Sequence, residues 1–266
     1  MRSREPGAQR SATTQDLWNR YLASYHSTHP GITEKVLTSA SHPSAGNPYS
    51  WLRDSLPAQP GRVLDLACGS APMHPLLSDA ASYLGVDLAD AELACAADRG
   101  RGPLLNCDAG QLPLPDESVD TVVCSMAVML LRPIGPALAE VRRVLRPGGV
   151  FATIRPVGSP FHLGDLRLAV PLLLGLRHLP EMPQRFTRSG LRTFLEAAGL
   201  SVTSDLALRF VHPLETESQA RLALEALYLP HVSEGRRRDA ERRLARLAGP
   251  GKELPVAIRR TVAVRL

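Results

Sequence analysis

"VLDLACGSAPMH", residues 63 to 74, decides the fold. Val63, Leu64 and Leu66 surround a lone acid, Asp65, as in a buried strand, and the chain then enters a turn of small residues and a helix over 72–80. A dinucleotide fold places Gly-x-Gly-x-x-Gly at this junction. Here Ala67 and Ala71 stand where glycines are expected, and only Gly69 remains. The ligand of this turn must therefore tolerate two methyl groups.

Outward from the turn, strand-like runs at 62–67, 82–87, 102–108, 119–126 and 150–156 alternate with helical stretches at 72–80, 90–98 and 134–145. This alternation predicts βαβ units and a parallel sheet covered on both faces. Pro147, Gly148 and Gly149 read as a sharp stop after a helix ending in Leu145. Upstream, Leu17, Trp18, Tyr21, Leu22 and Tyr25 fall at helical spacing, Pro30 and Gly31 interrupt it, and "ITEKVLTSA" resumes it, so two short helices are expected, then a third in "YSWLRDSL". Downstream, an apolar, proline-punctuated segment at 157–185 precedes "FTRSGLRTFLEAAGL" (186–200), an amphipathic helix stopped by Gly199. "SVTSDLALRFVHPL" and the terminal "VAIRRTVAVRL" are strand-like, with helices between them.

The expected organisation is a disordered tail at 1–14, a helical lid at 15–56 and a core at 57–266, the core interrupted by a cap insertion around 157–185 and a helical insertion around 215–250. A chain of 266 residues with 44% hydrophobic residues suffices for one large α/β domain. No apolar run approaches a membrane span, and the polar start lacks the apolar core of a signal peptide, so a cytoplasmic protein is expected. Cys68, Cys95, Cys107 and Cys124 form no CxxC pair, which argues for buried free thiols and against a metal site. The net charge of +5 raises the question of nucleic acid. The densest basic run, "GRRRDAERRLAR" (235–246), interleaves Asp239 and Glu241 at helical spacing, as a solvated helix face does.

In an open parallel sheet, ligands bind at the carboxyl ends of the strands. Asp87, about twenty positions after the turn glycine, is placed to accept hydrogen bonds from two ribose hydroxyls. A pyrophosphate needs the missing glycines and an open helix N-terminus, which Ala71 and Pro72 serve poorly. Asp65 points the same way, because a carboxylate before the turn repels phosphates and welcomes a ligand carrying ammonium and sulfonium charge.

The series "VLDLACGSAP", "LGVDLA", "NCDAGQLPLPDESVDTVVCSMAV" and "ALAEVRRVLRPGGVFAT" resembles the consecutive motifs of class I S-adenosylmethionine-dependent methyltransferases, especially their small-molecule, ubiquinone-biosynthesis-like branch. The resemblance covers residues 61–155, and more loosely "FTRSGLRTFLEAAGLSV". It implies a Rossmann-like, doubly wound, mostly parallel seven-stranded α/β sheet, with an N-terminal helical lid and helical insertions after strands five and six. It also implies S-adenosyl-L-methionine as cofactor and roles for the matched residues. Asp65 and the turn from Ala67 to Gly69 would hold the methionine portion, Asp87 the ribose, and Leu88 would flank the adenine. Asp108 would accept from the adenine amino group, Ala109 would offer its backbone N–H, and Ser125 and Met126 would border the sulfonium.

By the same analogy the N-terminal helices fold over the cofactor, with Tyr25 as a lid and His26 and His29 as candidate bases or positioning groups. His162 and Arg155 are further candidates, and His74 reads as structural. No Asn/Asp-Pro-Pro-Tyr and no Pro-Cys follows the fourth strand, which disfavours a nucleic-acid base as substrate. The expected acceptor is a small, largely hydrophobic natural product or quinone, with O- or N-methylation favoured by analogy. The protein is expected to work as a monomer or homodimer. An RNA methyltransferase and a non-catalytic cofactor-binding regulator are the alternatives.

Overall fold

The computed structural model describes residues 14–158, 162–187 and 190–266. The expected tail thus lies outside the described residues except for Thr14, which opens the first helix. Three N-terminal helices, α1 (Thr14–Thr28), α2 (Ile32–Ser39) and α3 (Pro48–Arg53), precede the alternating core. That core comprises β1 (Arg62–Leu66), β2 (Ser82–Asp87), α4 (Asp90–Asp98), β3 (Leu104–Asn106), β4 (Val119–Ser125), α5 (Ile134–Val144) and β5 (Leu145–Pro156). Then follow α6 (Leu166–Leu176), α7 (Gly190–Ala197), β6 (Leu200–Pro213), α8 (Glu217–Glu225), α9 (Glu234–Ala245) and β7 (Glu253–Arg265).

The seven strands run in the order β3-β2-β1-β4-β5-β7-β6. β1 through β5 pair in parallel, and β7 lies antiparallel between β5 and β6. This is the expected doubly wound sheet, with α6 and α7 inserted after β5, and α8 and α9 after β6. Both faces are packed. Val63, Val123, Ala152 and Ile154 meet Leu52 and Trp51 on one side, while Leu64, Leu66, Val122 and Phe151 meet Leu138, Val141 and Leu195 on the other.

Several local expectations differ from the structure. Residues 72–80 form only a short 3-10 helix, His74–Leu77, because Pro72 and Pro75 remove the N–H donors an α-helix needs there. The run at 102–108 pairs only over Leu104–Asn106. Pro147, Gly148 and Gly149 do not end the pairing. The helix stops at Val144, and β5 begins at once, with the register slipping from Val119–Leu145 to Thr121–Val150 to absorb the extra residues. The amphipathic helix of 186–200 is observed at Gly190–Ala197, with Gly199 at φ 79° behind it; residues 188 and 189 lie outside the described residues.

Candidate active site

The turn after β1 is built from left-handed residues at alternate positions. Ala67, Gly69 and Ala71 have φ of 52°, 54° and 53°. Glycine adopts this conformation freely, whereas alanine is strained in it by roughly 1 kcal/mol. The chain therefore keeps a glycine-type turn at two alanine positions. It is held by Cys68 N–H to the Val86 carbonyl (2.9 Å) and by Gly69 N–H to Asp87 Oδ2 (2.7 Å).

Asp65 stands beneath this turn, 1% exposed, paired in register with Gly85 of β2 and Val123 of β4. Tyr83 donates its hydroxyl to Asp65 Oδ2 at 2.8 Å. That side chain passes over Gly85, where a Cβ would stand 3.1 Å from the hydroxyl and 3.0 Å from Cys68 Sγ, so glycine leaves room for the bond. Asp65 Oδ1 has no partner, and neither has the buried Ser125 Oγ at the end of adjacent β4. Burial pushes the Asp65 carboxyl up to about 7; the Tyr83 bond opposes this and the Asp87 charge adds to it.

Asp87 ends β2 with both oxygens engaged, Oδ2 by Gly69 N–H and Oδ1 by Ala89 N–H at 2.8 Å. Each oxygen keeps one lone pair for a further donor. Burial raises its pKa against those two bonds. Leu88, next in sequence, is 68% exposed, an apolar side chain left on the surface beside the strand ends. Asp108 is exposed and accepts Gly110 N–H through Oδ1 (2.8 Å), closing an Asx-type turn that positions Ala109. Met126, at φ 59°, donates its N–H to the Ile154 carbonyl (2.9 Å) and turns the chain away from β4.

The site accommodates S-adenosylmethionine on its own chemistry. Two covered oxygens without partners, one on a carboxylate, suit a ligand bringing N–H donors and positive charge. Asp87 retains acceptor capacity for hydroxyls, and Leu88 offers an apolar face. Among the described residues no cluster of His, Cys, Asp and Glu could hold a metal ion.

The N-terminal helices reach this site through two acids that the sequence reading did not single out. Glu92 of α4, 5% exposed, accepts Gly31 N–H at 2.9 Å and lies 2.9 Å from His26 Nδ1. Glu34 of α2 accepts from Ser70 Oγ (2.7 Å) and from Arg101 (2.8 Å), and also pairs with Arg99. Burial tends to raise Glu34, but the bonds from Arg101 and Ser70 outweigh it and hold the carboxyl below its ordinary value. Nothing in the sequence singles out Glu92 or pairs Glu34 with Arg101, since both acids find their partners only through the tertiary packing of α1, α2 and α4.

Tyr25 is buried against Tyr228 (centroids 4.8 Å apart) and donates its hydroxyl to the Glu225 carbonyl at 2.8 Å, joining α1 to α8. His26 also lies 3.3 Å from the Tyr228 hydroxyl. His29 stacks on Tyr25, and its Nδ1 meets Thr28 Oγ1 at 2.8 Å. The structure thus groups His26 with Glu92 and Tyr228, and leaves His29 on the outer side of Tyr25. His162 is exposed, and the His74 ring lies 3.0 Å from the Gly102 carbonyl.

Beyond Met126, a cavity of about 310 Å³ opens at the carboxyl end of β5. Met129, Val157, Met182 and Phe186 supply its apolar wall, and Arg155 and Arg259 lie at its base. Neither His26 nor His29 lines it.

Comparison with known proteins gives the same reading. A family described as a methyltransferase domain matches residues 64–153. The demethylmenaquinone methyltransferase of Thermus thermophilus is 30% identical over 190 residues, 61% of this chain and 86% of that one. The malonyl-[acyl-carrier protein] O-methyltransferase of Methylococcus capsulatus is 33% identical over 151 residues, 53% of this chain and 52% of that one. The chain thus spans most of the Thermus enzyme, about half of the Methylococcus one, and 40% of a ubiquinone/menaquinone biosynthesis C-methyltransferase of Burkholderia mallei, to which it is 36% identical over 98 residues. Among solved structures, the [4+2]-cyclase SpnF aligns over 96% of this chain and 97% of its own, at TM-score 0.58 and 17% identity, which shows the fold alone. The left-handed turn, the acids ending β1 and β2, and the match along nearly the whole Thermus enzyme lead to one conclusion: the chain belongs to the class I S-adenosylmethionine-dependent methyltransferases.

Proposed function

We propose that this enzyme transfers the methyl group of S-adenosylmethionine to a small acceptor with a largely hydrophobic body, of natural-product or quinone type, in the cytoplasm. Oxygen or nitrogen is the favoured receiving atom. The observation that carries the proposal is the cavity beyond β5, whose lining includes Met129, four residues past the end of β4, and which has the apolar wall such an acceptor needs. The Thermus relative is named for a quinone-type acceptor, and the Methylococcus relative for an O-methylation.

When bound, the cofactor supplies an electrophilic methyl on an excellent leaving group, so the chain's task is to position and to exclude water. Asp65 and the turn from Ala67 to Gly69 hold the methionine portion, and Asp87 orients the ribose. Leu88, Asp108 and Ala109 receive the adenine, and Ser125 and Met126 border the reacting centre. Tyr25 and its aromatic neighbours close the lid. A hydroxyl acceptor needs a base near neutral pH. Neither His29, whose Nε2 has no hydrogen bond among the described residues, nor His26 lines the cavity, so the two are proposed for that work only towards a part of the acceptor that extends out of the cavity to α1.

The test is release of S-adenosylhomocysteine from protein supplied with S-adenosylmethionine and a panel of hydroxylated naphthoquinones, phenols and hydroxynaphthoates. Turnover is expected with at least one, and Asp87→Ala should lower kcat/KM by about 100-fold, the effect of losing two charge-assisted hydrogen bonds. Tight cofactor binding without release on any panel member would replace this reading with the non-catalytic regulator.

A further inference from the structure

The base of the acceptor cavity carries more positive charge than the protein itself neutralises. Arg155 of β5 and Arg259 of β7 are direct cross-strand partners, so their side chains leave the same face of the sheet. They are only 4% and 8% exposed. Like charges placed opposite one another repel, and burial intensifies the repulsion. One acid answers them: Asp205 of β6 lies 3.1 Å from Arg259 and also accepts from Thr261. The next carboxylate on this face, Asp165, is taken by Arg209, with Nε at 3.0 Å from Oδ2.

Arg155 therefore has no carboxylate of its own. Among the described residues it makes no hydrogen bond or ion pair; the Phe186 ring lies 5.4 Å from its guanidinium carbon, and the Asp205 charge favours its protonated form only from beyond ion-pair distance. The Nε atoms of Arg155 and Arg259 are both buried without partners. Burial, aided by the Arg259 charge, draws the Arg155 guanidinium below its ordinary value. At the rim, Arg185 adds a third cation, and no carboxylate lines the cavity among the described residues.

We propose that Arg155 and Arg259 form an oxyanion-binding subsite, so that the acceptor is a hydrophobic molecule bearing a carboxylate or phosphate group, which Arg155 receives at the base of the cavity. This rests on the methyltransferase reading above and narrows its acceptor. A guanidinium binds such a group through parallel N–H bonds in a fixed fork, and the low dielectric of a buried site strengthens them. An oxyanion held by two guanidiniums has its lone pairs engaged and is a poor nucleophile. It therefore anchors the acceptor, and the methylated atom lies elsewhere on the molecule.

The probes are 2-naphthoate, 2-naphthyl phosphate and the neutral 2-naphthamide, titrated by calorimetry into protein saturated with S-adenosylhomocysteine. At least one anion is expected to bind about tenfold or more tightly than the amide, and comparison of the two anions decides between carboxylate and phosphate. Arg155→Met should abolish that preference and Arg155→Lys restore part of it, with S-adenosylhomocysteine affinity unchanged in both. Because Arg155→Met removes a buried charge that has no carboxylate partner and keeps an apolar side chain against Phe186, the melting temperature of the ligand-free variant should equal or exceed that of the parent, whereas a structural role would lower it. Equal affinity for all three probes, or a preference untouched by Arg155→Met, overturns the subsite. Failure of S-adenosylhomocysteine to bind at all would instead refute the methyltransferase reading.

Discussion

Asp65 carries the sharpest chemical expectation in the molecule. Its carboxyl titrates near 7 in the folded, ligand-free protein, against 3.8 for an ordinary aspartate, so between those values the folded state keeps a proton that the unfolded state has released. The stability this contributes is complete below the unfolded value and is lost as the pH rises through 7. The melting temperature of ligand-free protein should therefore fall between pH 5 and 8 by more than in Asp65→Asn. A cationic ligand favours the ionised carboxylate, so cofactor uptake at pH 6 should expel about one proton, read as a dependence of the calorimetric heat on buffer ionisation enthalpy. The neighbouring strained alanines give a second test. Ala67→Gly should leave stability unchanged within about 1 kcal/mol, relief of strain offsetting the extra freedom of the unfolded chain, while Ala67→Val should cost about 2 kcal/mol. Denaturant titrations separate the two. Asp65 and Asp87 were legible in the sequence because each is an acid at or next to the carboxyl end of a largely apolar strand. The unsatisfied Oδ1 was not, since it depends on what the neighbouring strands bring to it.

Among the elements, α2 and α4 bind the N-terminal region to the turn after β1 and to each other. Glu34→Ala strips Arg101 of its carboxylate partner and should destabilise the protein by about 1–3 kcal/mol, with faster proteolysis in the first forty residues than elsewhere. Because the Glu34 carboxyl is held low, its contribution is whole above about pH 4.5 and is lost as the pH drops through the lowered value. Differential scanning of the parent and Glu34→Ala across pH 3–6 should show the two converging in acid. α4 and α5 were read almost to the residue, since their apolar spacing has one solution. The expected helix at 72–80 shrank to one turn, because Pro72 and Pro75 lack the N–H donors that a longer α-helix needs there. Tyr228, which closes the aromatic cluster over His26, lies more than two hundred residues away along the chain, and no local pattern could bring the two together.

At the scale of the whole molecule, the positive charge is largely internal bookkeeping. On α9, Arg242 and Arg243 both pair with Asp239, Arg221 reaches Glu241, and Arg237 caps the carbonyls of Val232 and Leu229. Acids interleaved on this helix engage part of its positive charge, as on a solvated face rather than a phosphate-tracking one. Single-stranded RNA should therefore show no retardation by this protein at 150 mM salt, and a steep salt-dependent affinity would reinstate the RNA methyltransferase reading. Among the described residues no helix is long and apolar enough to cross a membrane. Strand order followed from the βαβ rhythm up to β5. The reversal beyond it, where β7 separates β5 from β6, places Arg259 opposite Arg155 and was invisible in the spacing of either strand. That reversal has a further consequence for biosynthesis. While residue 252 is leaving the ribosome, β5 and β6 still lack the ladder that joins them, and two hydrogen-bonding edges stand open. The nascent polypeptide thus passes through an interval of exposed, aggregation-prone edge before β7 slots home.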